Sequence, residues 1–213
     1  QYYCAGESVP AYVFSGVGQT YSWVNTNTTT GLQNAGINFV PNFVAQNTTP
    51  ITQVSLITVT PNFMGCAGTP QSFSISVYPL PLVDAGIDQE VCSGGSVTLT
   101  ANGAPNLVWD NGILNGQTFV PNASTTYTVT GTDANGCQNQ DDVFVQVNQP
   151  TSATLNINAC DSYTLNGQTY TQSGTYDQLL SNSAGCDSSL TLNLSLNFSP
   201  NQPNIYVQNQ VNL

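Results

Sequence analysis

The side chains here with most chemistry to offer are six cysteines, Cys4, Cys66, Cys92, Cys137, Cys160 and Cys186, and eleven carboxylates. No Lys, Arg or His accompanies them anywhere in the 213 residues. Without imidazole there is no Ser-His-Asp triad and no ordinary zinc or haem ligand set, and without Lys no Schiff base. No C-x-x-C occurs, so the thiols read as disulfide partners, which persist in an oxidising compartment. The carboxylates offer two further chemistries. Asp84, Asp88, Asp133 and Asn135, with Asp141 and Asp142 nearby, are candidate calcium ligands, because calcium takes 6–8 oxygens. The alternative for these residues is an Asx turn. A glycosidase needs only two acids about 5–10 Å apart, but no pair here sits in a cleft-forming context. The reading is non-enzymatic, with no cofactor beyond that candidate calcium.

Charge narrows the partners. The net charge is −11 with nothing basic to offset it, which argues against nucleic acid and against insertion into anionic membranes. Only 5% of residues are charged while 39% are hydrophobic, enough for globular cores with Asn, Gln, Ser and Thr supplying the wet surface. No stretch approaches the roughly 20 apolar residues of a membrane span. With no signal peptide in view, and Leu213 ending in mid-pattern, the expectation is a mature or excised portion of a longer secreted chain.

The elements that must position the cysteines repeat. Cys4-Ala5-Gly6-Glu7-Ser8-Val9 matches Cys92-Ser93-Gly94-Gly95-Ser96-Val97, and each is followed by a Trp, Trp23 or Trp109. Each then closes with an alternating run, a Gly-Cys dipeptide and another alternating run. A third Gly-Cys, Gly185-Cys186, precedes Leu190-Thr191-Leu192-Asn193-Leu194. Period-2 alternation rich in Val, Thr, Tyr, Phe and Ile predicts half-buried strands. Asn-Gly dipeptides at Asn102, Asn111, Asn115, Asn135 and Asn166 predict hairpin turns. The fold expected is all-β: tandem small Ig-like or PKD-like sandwiches in a rod, one disulfide per module. Pro-containing linkers set the bounds: 1–81, 82–149, 150–200, then 201–213 as linker and strand. Six cysteines allow 15 connectivities; the repeat selects Cys4–Cys66, Cys92–Cys137 and Cys160–Cys186.

These residues resemble the Ig-like and PKD-like repeats of very large secreted surface proteins of Bacteroidota, many associated with gliding motility or type IX secretion. The first module carries the resemblance in C-A-G-E-S-V-P and Thr20-Tyr21-Ser22-Trp23. The second carries it in D-A-G-I-D-Q-E-V-C at Asp84–Cys92 and T-T-Y-T-V-T-G-T-D-A-N-G-C at Thr125–Cys137. The third carries it in A-C-D-S-Y-T-L-N-G-Q-T-Y-T. The resemblance implies a stalk or adhesin at the cell surface, with no catalytic residues to carry over. Asp161-Ser162 and Asp187-Ser188 loosely fit the O-glycan sites of that lineage.

Other candidates have two readings each. Trp23 and Trp109 are sugar-stacking platforms or, as their repeated position favours, core. Asn27, Asn47, Asn122, Asn193 and Asn197 fit N-x-[ST], a match expected by accident in so Asn- and Thr-rich a chain. The run Ile205–Leu213 reads as the first strand of a following module or as a donor strand completing a neighbour's sheet. The function expected is an extracellular structural and adhesive module array of a bacterial surface protein or filament. Its partners would be further repeats, copies of itself, or surface glycans. The alternative is a carbohydrate-binding region of a secreted hydrolase.

Overall fold

A computed structural model of the chain describes residues 1–198. The C-terminal strand expected within 201–213, with its proline spacer, lies outside the described residues. Apart from two single-turn 3-10 helices, at Thr28–Thr30 and Asp110–Gly112, every regular element among them is a β-strand. The chain is all-β, in small tandem sandwiches. Contacts gather it into two compact units. One comprises Gln1–Gln89, Ser96–Phe119 and Thr125–Val145; the other comprises Glu90–Gly95, Val120–Ser124 and the described residues from Gln146 to Phe198.

The first stretch holds β1 (Tyr2–Cys4), β2 (Ser8–Val9), β3 (Tyr12–Val13), β4 (Thr20–Asn25), β5 (Ala35–Ile37), β6 (Phe39–Val40), β7 (Phe43–Val44), β8 (Gln53–Phe63), β9 (Cys66–Ala67) and β10 (Gln71–Tyr78). The main sheet has the order β1-β10-β8-β4-β5, with β9 folded back on β8. Two short pairs, β2-β7 and β3-β6, cover it. Alternation does the work: Ser55, Ile57 and Val59 of β8 point inward while Val54, Leu56 and Thr58 do not. Val9, Val40, Trp23, Ile57 and Ile75 meet in the core between the layers. The strand β1 lies parallel to β10, with Cys4 opposite Tyr78.

The second stretch holds β11 (Gln89–Cys92), β12 (Val97–Thr98), β13 (Asn106–Trp109), β14 (Thr118–Phe119), β15 (Thr125–Thr132) and β16 (Gln138–Asn148). Its sheet order is β11-β16-β15-β13, with the pair β12-β14 beside it. The third holds β17 (Thr151–Cys160), β18 (Tyr163–Leu165), β19 (Gln168–Tyr170), β20 (Gly174–Ser181) and β21 (Asp187–Asn197). Its sheet is β17-β21-β20, with β17 parallel to β21 and Cys160 opposite Asn197. The hairpin β18-β19 sets Tyr170 against Leu192, Leu194 and Leu196, the inward row of β21.

The disulfides correct the expected connectivity. Cys4 bonds Cys137 and Cys92 bonds Cys186, each with Cα atoms 5.5 Å apart, while Cys66 and Cys160 are free and exposed. None of the three expected pairs forms, and there is no bridge closed within a single repeat. The reason is strand length. A disulfide needs Cα atoms within about 7 Å. Cys4 sits by Tyr78 at the end of β10, whereas Cys66 precedes its start; eight strand residues at roughly 3.3 Å each separate those ends by about 25 Å. Cys160 and Cys186 are likewise divided by the eleven residues of β21. Cys137 precedes β16 and Cys92 lies at its far end, where the Ser93 N–H donates to the Asn148 carbonyl. Cys4 and Cys92 are thereby left within reach of a cysteine from an adjoining repeat, Cys137 and Cys186 respectively, and Cys66 and Cys160 of none.

Candidate functional site

The cysteines fall into two geometric kinds. Cys4, Cys92 and Cys160 each end the first strand of their stretch, beside the end of its last strand. The residue after each makes the same backbone bond. The Ala5 N–H donates to the Tyr78 carbonyl at 3.0 Å, that of Ser93 to Asn148 at 2.8 Å, and that of Asp161 to Asn197 at 3.1 Å. Those acceptors are the last residues of β10, β16 and β21. A tight turn follows. In C-x-G-x the residue three on donates to the cysteine carbonyl, Glu7 at 3.1 Å and Gly95 at 2.8 Å, with Gly6 and Gly94 at positive φ as a type II turn requires. At Cys160 a shorter turn does this, Ser162 N–H to Cys160 carbonyl at 2.6 Å, with Asp161 at φ 59°. We call this the downstream kind, since it sits where the chain leaves a repeat.

Cys66, Cys137 and Cys186 are the upstream kind, each after a glycine that precedes the last strand. Two of their turns match in every bond that involves the turn backbone. The carboxylate Oδ1 of Asp133 accepts from the N–H groups of Asn135 and Cys137, both at 2.8 Å. The amide Oδ1 of Asn182 accepts from those of Ala184 and Cys186, both at 3.0 Å. Either side chain serves, because only a fixed oxygen is needed. Both bonded upstream cysteines are buried, at 1% exposure. Cys66 differs: Phe63 and Cys66 pair directly across a two-residue turn, Met64-Gly65, both at positive φ.

Three of the carboxylates considered for calcium accept hydrogen bonds from the protein itself. Asp84 takes the Gly86 N–H and the Asn102 side chain, Asp88 takes the Phe144 N–H, and Asp141 takes the Ala85 N–H. Asp133 and Asn135 belong to the turn above. Among the described residues no three Asp, Glu, Cys or His side chains come together. Of the N-x-T sites, Asn27 and Asn47 build turns in the same way, each accepting from the N–H two residues on. Asn47 also donates to the carbonyls of Ile51 and Val77.

Both tryptophans are core rather than platform, at 1% and 3% exposure. The Trp23 indole N–H donates to the Phe39 carbonyl, and its ring lies over Gly36, where a Cβ would come within 2.6 Å. The Trp109 N–H donates to Asn115 Oδ1. An open groove that the sequence did not reveal lies elsewhere in the first unit, about 800 Å³, lined by Tyr12, Phe14, Tyr21, Pro61 and Phe73. Its aromatics come from three separated segments, with Pro61 from a fourth, so no local pattern announces them. The Tyr3 and Tyr12 hydroxyls meet at 2.8 Å. Burial, then the hydrogen bond to Tyr3, pushes the Tyr12 hydroxyl well above the ordinary tyrosine range. Burial and the nearby Asp110 push Tyr127 in the same direction.

No family profile and no curated protein matches the chain. Among solved structures it is similar to hemolin, an insect immune protein, with 16% identity, a TM-score of 0.30 and coverage of 70% of this chain. It spans 44% of the hemolin chain. It is also similar to the N-terminal Ig1-2 module of the Drosophila receptor protein tyrosine phosphatase DLAR, at 13% identity over 70% of this chain and 94% of that one, TM-score 0.27. A third is the SGBP-B protein of the Bacteroides ovatus mixed-linkage glucan utilization locus. There the identity is 14% over 92% of this chain and 66% of that one, TM-score 0.21. At such TM-scores the strand order of this chain, rather than any neighbour, defines its fold class.

Proposed function

We propose that this chain is a non-enzymatic, extracellular structural and adhesive module array, three repeats bounded near residues 81 and 149, of the kind carried by large bacterial surface proteins. The observation that carries the reading is the pattern of its two disulfides. Each joins a downstream cysteine of one repeat to the upstream cysteine of the next, Cys4 to Cys137 and Cys92 to Cys186. Such bonds tie neighbours together, which is the requirement of a load-bearing array. Loops of this size remove about 4.7 kcal/mol each from the unfolded state's conformational freedom in the chain-entropy view, a large share of a typical domain's stability. Disulfides of this kind support the extracellular reading, since they persist in an oxidising compartment. A surface rich in Asn, Gln, Ser and Thr, without one cationic side chain, offers hydrogen bonds that salt does not screen.

The test is single-molecule pulling through the two termini. The oxidised chain should stop extending far short of the length it reaches in reductant, since residues inside the two loops are withheld from the force. Equal extension in both conditions would overturn the reading.

A further inference from the structure

We propose that Cys160 and Cys66 are joining thiols, through which Cys160 of one copy of this chain forms a disulfide with Cys66 of the next. The proposal rests on the array reading above and adds covalent head-to-tail assembly to it. Three observations carry it.

First, Cys160 stands in the geometry of the two bonded downstream cysteines. It ends a first strand, lies opposite the last residue of β21, and is followed by a residue whose N–H donates to that residue's carbonyl, as at Cys4 and Cys92. Second, Cys66 stands where the two bonded upstream cysteines stand, after a glycine at positive φ and before the last strand of its repeat. The three glycines, Gly65, Gly136 and Gly185, have φ of 85°, 88° and 78°. Third, bonding follows polarity. Both disulfides join a downstream cysteine to an upstream one, and the two thiols left over are one of each kind. A leftover pair of opposite kind lets each copy be joined on both sides, so that copies can follow one another head to tail in an open, heterologous chain.

Exposure fits. Both thiols are accessible, and each has uncovered apolar surface beside it: Phe63 and Met64 flank the Cys66 turn, and Phe198 follows the residue opposite Cys160. The turn at Cys66 is two residues where the bonded ones are five, which leaves exposed Phe63 and Met64 next to the thiol. The chemistry is thiol–disulfide exchange with a low-molecular-weight disulfide as oxidant. The thiolate of one cysteine attacks it, forming a mixed disulfide and releasing one small thiol. The thiolate of the other cysteine, from the neighbouring copy, then attacks the protein sulfur and releases the second. Two protein thiols lose two protons and two electrons, and one small disulfide becomes two small thiols.

The experiment uses the full chain in a glutathione redox mixture, read by denaturing gels without reductant and by mass mapping of chymotryptic peptides. The wild type should give a ladder of covalent multimers carrying a Cys66–Cys160 cross-linked peptide. Cys66→Ser alone and Cys160→Ser alone should stay monomeric, and an equimolar mixture of the two should give dimers and nothing larger. Monomers in which both thiols react with iodoacetamide or carry glutathione would overturn the proposal, as would Cys66–Cys66 or Cys160–Cys160 dimers in the single variants. The monomeric double variant, with both Cys66→Ser and Cys160→Ser, keeps the pulling test independent. If the wild type fails to multimerise while the double variant still shows the shortened extension, covalent joining falls and the array reading survives.

Discussion

Tyr12 shows how a single side chain sets a condition on stability. Its hydroxyl is held protonated by burial and by the bond to Tyr3. Below about pH 10 the tyrosine is neutral in folded and unfolded chains alike, and it contributes no pH dependence. Above that value the unfolded chain loses the proton and the folded chain keeps it, so stability falls as pH rises. With Cys66 and Cys160 first alkylated to prevent exchange, denaturant midpoints should be flat from pH 7 to 9 and fall from about pH 10 upward. Tyr12→Phe should make that fall shallower, leaving the part due to Tyr127; an unchanged alkaline limb would contradict the assignment. The two tryptophans make a different point at this scale. Their recurrence at the same place in two repeats marked them as core, and the core role follows from Gly36, whose missing side chain leaves room for the Trp23 ring.

Among the elements, the five-residue turn before an upstream cysteine is the most informative, because the chain tests it twice with different residues. One oxygen satisfying two N–H groups is worth a few tenths to a couple of kcal/mol in such settings. Asp133→Ala should therefore cost about 1–2 kcal/mol, measured by chemical denaturation, whereas Asp133→Asn should cost less than about 0.5 kcal/mol, since Asn182 already does the same task. Equal losses for the two would point to charge rather than to the fixed oxygen. The strands themselves were legible: burial on one face imposes period 2, and Val143, Val145 and Val147 or Leu192, Leu194 and Leu196 announce it. The cysteine pairing was not. Alternation reads the same from either end of a strand, so it does not say that β1 runs parallel to β10 and carries Cys4 to the end away from Cys66. The direction of the first strand, a tertiary fact, decides which thiols meet. The aromatic groove was hidden for a similar reason, its rings being brought together only by the crossing of β3, β4, β8 and β10.

For the whole molecule, the two disulfides make closed rings that share the stretch from Cys92 to Cys137. Follow the covalent bonds and the joined pair Cys4/Cys137 is connected to the joined pair Cys92/Cys186 by three separate routes: 4 to 92, 92 to 137, and 137 to 186. Bridges closed repeat by repeat would instead have left each linker as a single point of failure. Trypsin-like proteases have no site at all in a chain without Lys or Arg. A single cut after an aromatic or acidic residue between Cys4 and Cys186 should nick the oxidised protein without dividing it. In limited chymotryptic digestion, species cut once within that span should keep the two halves together on gels without reductant and fall into fragments only when the disulfides are reduced. Fragments released before reduction, from a single cut between Cys4 and Cys186, would show that the rings do not interlock. A chain built on this plan tolerates wounds: it keeps its continuity after losing any one peptide bond between Cys4 and Cys186, because two covalent routes still connect the joined pairs.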